Sequence, residues 1–206
     1  MESSSKVAAD RLMHVNKRRN VRIISGTHKG SKIHFPDLPG LRPSGDRIRE
    51  TLFSWLQPSI TGCRCLDMFA GSGALGFEAV SRGAGHVVMI EKNQTACAAL
   101  QDNASRLRFD QIEIIAADAL NRTLYNHKLD RHQFNLVFVD PPFADNLHAQ
   151  AIECVLDNEL LLPDGLVYLE TGKRSQAVSV PANWQLHREK VAGEVRMQLY
   201  RVIAGS

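Results

Sequence analysis

The chain has 206 residues, 44% of them hydrophobic, and a formal net charge of +3, which suits one ordinary α/β domain carrying a small attachment. No apolar run is long enough to span a bilayer and the N-terminus lacks a signal-peptide core, so a cytoplasmic protein with no membrane contact is expected. The four cysteines and eight histidines show neither a disulfide framework nor ligand spacing, which excludes a zinc-scaffold reading, and no metal is expected.

Charge is unevenly divided. Residues 1–60 hold eleven Lys and Arg against five Asp and Glu, whereas the remainder holds fourteen against seventeen. A basic first segment on a mildly acidic body fits two readings, a polyanion partner or a solvated basic tail.

In chain order, residues 1–19 are polar and read as a flexible segment. "VRIISG" (21–26) and "SKIHF" (31–35) read as two short strands of a basic hairpin. "PDLPGLRPSG" is turn-rich, and Ser44 or Asp46 is expected to cap the helix that follows. In that helix, "DRIRETLFSWLQ", apolar residues Ile48, Leu52, Phe53, Trp55 and Leu56 recur at helical spacing. From Cys63 onward strands and helices alternate. "CRCLDMFA", "HVVMIEK", "IEIIAAD", "FNLVFVD" and "GLVYLET" are the strands. "GALGFEAVSRGA", "NQTACAALQDNASRLR", a short piece at 119–126 and "NLHAQAIECVLDN" are the helices. The last stretch alternates about a Gly-Glu turn, as a C-terminal antiparallel hairpin does. The pattern predicts a Rossmann-like, mostly parallel seven-stranded sheet with helices on both faces, an antiparallel strand at one edge and a small basic N-terminal hairpin and helix. The expected divisions are 1–19, an extension over 20–60, and a main domain over 61–206.

"LDMFAGSGALGFEA" (66–79) matches the dinucleotide pattern G-x-G-x-x-G letter for letter. Asp67, four residues before the first glycine, argues against a pyrophosphate. A carboxylate within about 5 Å of two phosphate charges costs on the order of a few kcal/mol. S-adenosylmethionine has no phosphate and carries an α-ammonium and a sulfonium, which a carboxylate favours. Ligands of open α/β sheets lie over the carboxyl ends of the strands. Glu91, twenty residues beyond Gly71, has the offset of a ribose acceptor, and Asp118 near the end of the next strand suits an adenine amine.

"FNLVFVDPPF" reads as a buried central strand ending in Asp140-Pro141-Pro142-Phe143. The prolines remove two N–H donors, leaving carbonyls beside the Asp140 carboxylate as acceptors. That group suits an NH2, and Phe143 offers a flat face for a base. An exocyclic amine is a poor nucleophile because its lone pair is delocalised. Acceptors on both N–H bonds orient it toward a sulfonium methyl, and the rate comes mostly from positioning and electrostatics.

Both motifs, with "RIISGTHKGSKIHFP", "GLRPSGDRIRETLFSWL", "EKN" and "LVYLE", resemble the class I S-adenosylmethionine-dependent methyltransferases, and more specifically the bacterial RsmD family, over residues 20–203. The resemblance implies methylation of a guanine N2 amine in 16S ribosomal RNA, carried by a 30S subunit or an assembly intermediate. It places Asp67, Phe69, Gly71, Ser72 and Gly73 around the methionine part of the cofactor. Glu91 and Lys92 fall on the ribose side, Asp118 and Ala119 on the adenine side, and Asp140, Pro141, Pro142 and Phe143 on the target base. Ser44 stands where threonine is commoner in the family. The implied RNA contacts are Arg18, Arg19, Arg22, Lys29 and Lys32, with Arg42, Arg47 and Arg49 nearer the crevice. Arg47 and Arg49 fit an ordinary solvated helix face equally well, with Glu50 as a partner. D-P-P-F also occurs in adenine-N6 enzymes, so that activity is the alternative, and a non-catalytic RNA-binding assembly module is the second. A monomer is expected.

Overall fold

The computed structural model describes residues 18–127, 129, 134–142 and 147–203. Residues 1–17, most of the segment expected to be flexible, lie outside the described residues, as does Phe143.

The ribbon predicted near the N-terminus is formed by β1 (Arg18–Arg22) and β2 (Lys32–Pro36), paired antiparallel. Its first strand begins earlier and ends sooner than the sequence suggests. The reason is a change of partner: the Ile24 and Ser25 N–H groups donate to the Glu78 carboxylate at 2.7 and 3.1 Å instead of continuing the ladder. Gly26 then turns at φ +83°, where a Cβ would fall 1.8 Å from the Ser81 carbonyl oxygen, so only glycine allows this approach.

Helix α1 (Asp46–Leu56) forms where expected and buries Leu52, Phe53 and Leu56. Its cap differs from expectation. Gly45 is the N-cap and no side chain caps the helix. The Ser44 hydroxyl donates elsewhere, and Asp46 pairs with Arg49 at 2.6 Å.

The main sheet comprises β3 (Arg64–Asp67), β4 (His86–Glu91), β5 (Ile112–Ala116), β6 (Phe134–Val139), β7 (Leu161–Gly172), β8 (Trp184–Ala192) and β9 (Val195–Val202), ordered β5-β4-β3-β6-β7-β9-β8. The strands β3 to β7 run parallel, and β9 is antiparallel to both its neighbours. The antiparallel strand is therefore one place inside the edge rather than at it. The two-residue turn Gly193-Glu194 folds β9 back between β7 and β8, leaving β8 outermost. The chain moves outward from β3 through β4 and β5, then returns to β6 on the other side of β3. That reversal opens a crevice above the carboxyl ends of β3 and β6.

Helices α2 (Ala74–Ser81), α3 (Gln94–Leu107), α4 (Arg122–His127) and α5 (His148–Asp157) complete the layers. Strand side chains alternate between two cores. One contains Cys65, Phe138 and Tyr168 with the ribbon, α1 and α2; the other contains Leu66, Val139 and Leu169 with Tyr125, Ile152 and Trp184. Burial on both faces explains the apolar run at 136–139 of β6. Ribbon residues Val21, Ile33 and Phe35 belong to the first core, so the extension shares the main domain's interior. The four cysteines are free; Cys65 lies in β3 and Cys63 just before it. Among the described residues, no helix is long and apolar enough to cross a membrane.

Candidate functional site

Three adjacent parallel strands end in acids. Asp67 closes β3, Asp140 follows β6, and Glu170 lies near the end of β7. Asp67 shares its face with Cys65, and Glu170 shares its face with Tyr168, both lining the core under α1. Asp140 meets that side too, accepting a hydrogen bond of 3.0 Å from the Ser44 hydroxyl just before α1.

Asp67 is 2% exposed. The Phe69 and Gly76 N–H groups bond its carboxylate, but burial and the charge of Asp140 outweigh them and push it up to about 7. Burial likewise raises Asp140 above the usual carboxylate range, opposed by the Ser44 bond. Glu170 is raised by burial and then by Asp140, although the Tyr168 hydroxyl donates to it at 2.8 Å. The crevice therefore gathers carboxyl groups whose negative charge is poorly compensated. No described cation forms an ion pair with any of the three, which makes the site a receptor for a cationic or N–H-donating ligand.

The glycine loop joins β3 to α2. Gly73 is the α2 N-cap at φ +78°, and a Cβ there would lie 2.5 Å from Leu100 Cδ2 and 2.6 Å from Phe77 Cε2. The Gly71 N–H donates to Glu91 Oε2 at 2.9 Å, while Glu91 Oε1 accepts from the Asn93 N–H at 2.7 Å. A backbone donor that a pyrophosphate loop offers to an anion is taken by a carboxylate here. Ser72 is buried and its hydroxyl accepts from the Ala74 N–H at 3.3 Å. Phe69 is half-buried against the second core.

Along the crevice wall, the Ala117 N–H donates to the Glu91 carbonyl at 3.0 Å, bringing the segments after β4 and β5 together. Asp118 lies two residues beyond β5 and is exposed, and its Oδ1 accepts from the Leu120 N–H at 2.9 Å. Ala119 is buried, its carbonyl accepting from the Tyr125 hydroxyl at 2.6 Å. Lys92 is exposed beside Glu91. Pro141 is buried and Pro142 exposed. The predicted acids and glycines thus meet at one end of the sheet, and the phosphate-free donor fits them: the residues supply acceptors for an ammonium, a sulfonium, hydroxyls and an amine.

On the basic extension Arg18, Arg19, Arg22, Lys29, Lys32, Arg42 and Arg47 are exposed. Arg22 and Lys32 stand directly opposite in the ribbon register, a like-charge pair with no gain from folding. Arg18, Lys32 and Arg106 lower the His34 pKa after burial, so Arg106 of α3 belongs to the same positive face. Arg106 does not stand out in the sequence; its only signal is a basic residue in the last turn of a helix.

Arg49 is a correction. Its side chain is fully buried and cannot meet RNA. Nη1 donates to Glu78 Oε2 at 3.3 Å, Nη2 to Asp46 Oδ1 at 2.6 Å and to the Arg22 carbonyl at 2.9 Å, and Nε to the Ser44 carbonyl at 3.2 Å. Its partner is Asp46 one turn back with Glu78 across the core, and not Glu50. Glu78 itself, missed from sequence, is fully buried and also takes Arg82 at 2.6 Å. Glu170 was missed as well; an acid at the close of "LVYLE" was the available signal.

A sheet in this order, with a glycine loop after its first strand and acids over the switch point, defines the class I S-adenosylmethionine-dependent methyltransferases. The family model described as conserved hypothetical protein 95 matches residues 21–201. Ribosomal RNA small subunit methyltransferase D of Escherichia coli (strain K12) is 44% identical over 181 residues, covering 88% of this chain and 89% of the relative. Its Haemophilus influenzae counterpart is 42% identical over 188 residues, covering 90% and 96%. A solved Escherichia coli structure, named as a candidate methyltransferase, superposes with a TM-score of 0.82 at 41% identity, over 91% of this chain and 100% of that one. The chain belongs to the RsmD family.

Proposed function

We propose that this chain transfers a methyl group from S-adenosylmethionine to the exocyclic N2 amine of a guanine in 16S ribosomal RNA, within a small-subunit assembly particle. The names of the relatives at 44% and 42% identity support the ribosomal RNA substrate. The observation that carries the reading is the position of Asp140, followed by two prolines, near enough to Asp67 at the end of the adjoining strand for its charge to act on that acid.

The bound donor supplies an electrophilic methyl on sulfur. Asp67 attracts its positive end, with Phe69, Gly71, Ser72 and Gly73 shaping the loop around it. Glu91 and Lys92 flank the ribose, and Asp118 and Ala119 the adenine. Asp140 accepts one N–H of the guanine amine and the carbonyls beside Pro141 and Pro142 accept the other, aiming the nitrogen lone pair at the methyl. The proton lost from nitrogen leaves to Asp140 or to solvent. Phe143 is the side chain this reading assigns to stacking on the base. A paired base hides its amine edge, so the target guanine is unpaired or flipped out.

Residues 20–60 form the RNA-contact extension in this reading and 61–206 the methyl-transfer domain, working in the cytoplasm as a monomer. Two opposed cations at Arg22 and Lys32 favour a phosphate ligand, since neutralising them relieves their repulsion. The test is incubation with labelled donor and undermodified 30S particles or naked 16S RNA, followed by nucleoside mass spectrometry. N2-methylguanosine is expected; N6-methyladenosine in its place, or no product from either substrate, overturns the reading.

A further inference from the structure

We propose that Ser44 is the positioning residue of Asp140: its hydroxyl holds Oδ2 in place and leaves the remaining carboxylate oxygen to the target amine. The proposal rests on the reading of Asp140 as the amine's acceptor.

The hydroxyl of Ser44 is free for this task because α1 does not use it. The N-cap of α1 is Gly45, whose carbonyl accepts from the Ile48 and Arg49 N–H groups, and no side chain caps the helix. Ser44 stands one residue ahead of it, outside the position from which a side chain caps. Its Oγ donates to Asp140 Oδ2 at 3.0 Å. A hydroxyl that bonds a strand-end acid 96 residues away, with no local role in the helix, is placed by something else.

That something is Arg49. Its Nε donates to the Ser44 carbonyl at 3.2 Å, and its other donors are fixed on Glu78, Asp46 and the Arg22 carbonyl. A fully buried guanidinium with partners on β1, α1 and α2 gives the Ser44 backbone a rigid support. The same support reaches the last residue of β1, so the basic ribbon and the hydroxyl that holds Asp140 share one anchor.

The bond also acts on charge. The groups facing Asp140 are Asp67 from β3, Glu170 and Tyr168 from β7, and Ser44 ahead of α1. The first two are acids that disfavour a further negative charge. A donor to the carboxylate favours the ionised form, which is the form that accepts an amine N–H. Removing the hydroxyl therefore does two things: it frees the carboxylate to rotate and makes it harder to ionise.

The full-length chain carrying Ser44→Ala, Ser44→Thr or Asp140→Ala is assayed with S-adenosylmethionine and undermodified 30S particles across pH. Ser44→Ala is expected to lower kcat about tenfold or more with the KM for the donor unchanged, and to move the acid limb of the profile to higher pH. Ser44→Thr is expected to restore both. A Ser44→Ala enzyme with wild-type kcat and profile, or one altered only in melting temperature, overturns the proposal while an inactive Asp140→Ala keeps the underlying reading. An active Asp140→Ala enzyme, which has no acceptor at that position, overturns the underlying reading instead.

Discussion

Arg49 and Glu78 form an ion pair with neither side chain exposed, Nη1 to Oε2 at 3.3 Å, and around it the ribbon, α1 and α2 are joined. Two ions are taken out of water together, and hydrogen bonds from Ile24, Ser25 and Arg82 satisfy the remaining carboxylate sites. Removing one partner strands the other. Arg49→Met is expected to destabilise the fold by about 3–5 kcal/mol in denaturant titration. A loss under about 1 kcal/mol would show that the pair contributes specificity rather than stability.

The exposed arginines are expected to behave differently. Arg18, Arg19 and Arg22 changed together to alanine should leave the melting temperature nearly unaltered and weaken RNA binding. The slope of log affinity against log salt should flatten by about 0.7–0.9 for each phosphate that is no longer neutralised. Arg19 already lies 3.5 Å from Asp37 and over the Phe35 ring at 5.8 Å, so its share is expected to be the smallest. An unchanged slope at full binding would remove the ribbon from the RNA interface.

Asp67 links donor binding to pH. Its carboxyl, pushed up to about 7 by burial and by Asp140, must ionise to attract a cationic ligand. Donor affinity measured by calorimetry is therefore expected to rise between about pH 6 and pH 8 and then level, with proton release on binding at the acid end. Asp67→Asn should weaken binding on the order of tenfold to a hundredfold and flatten the curve. Binding of NADH in preference to S-adenosylhomocysteine would refute the assignment of the loop altogether.

Glu170 bears on stability through the same physics. Burial and Asp140 raise its folded pKa, so the folded chain keeps a proton that the unfolded chain releases in the ordinary carboxylate range. The folded state then binds more protons, and stability falls as pH rises toward and through the raised value. Glu170→Gln keeps an acceptor for the Tyr168 hydroxyl and cannot ionise. Its melting temperature is expected to match the parent near about pH 5 and to exceed it increasingly toward about pH 9. A constant difference across that range would mean that Glu170 is already ionised throughout it in the folded chain, its pKa not raised.

The succession of strands and helices was legible in the sequence because it depends on local periodicity and turn chemistry. The glycine loop, the acids at 67, 91 and 118, and the D-P-P run were legible for the same reason: each lies within a few residues of a strand end. The place of β9 was not, since alternation specifies a hairpin but not which of its strands meets the sheet. Asp140 and Ser44 are 96 residues apart and Arg49 and Glu78 are 29 apart, and no spacing rule relates either pair. In sequence Arg49 looks like its exposed neighbour Arg47, yet its helix face turns it inward onto a buried acid. Glu170 became part of the site only because β7 lies beside β6 and presents it on the side of Asp67 and Asp140. Local pattern specifies the elements and the chemistry available at their ends, whereas packing selects which charges share a face, because burial and neighbouring charge exist only once distant segments meet.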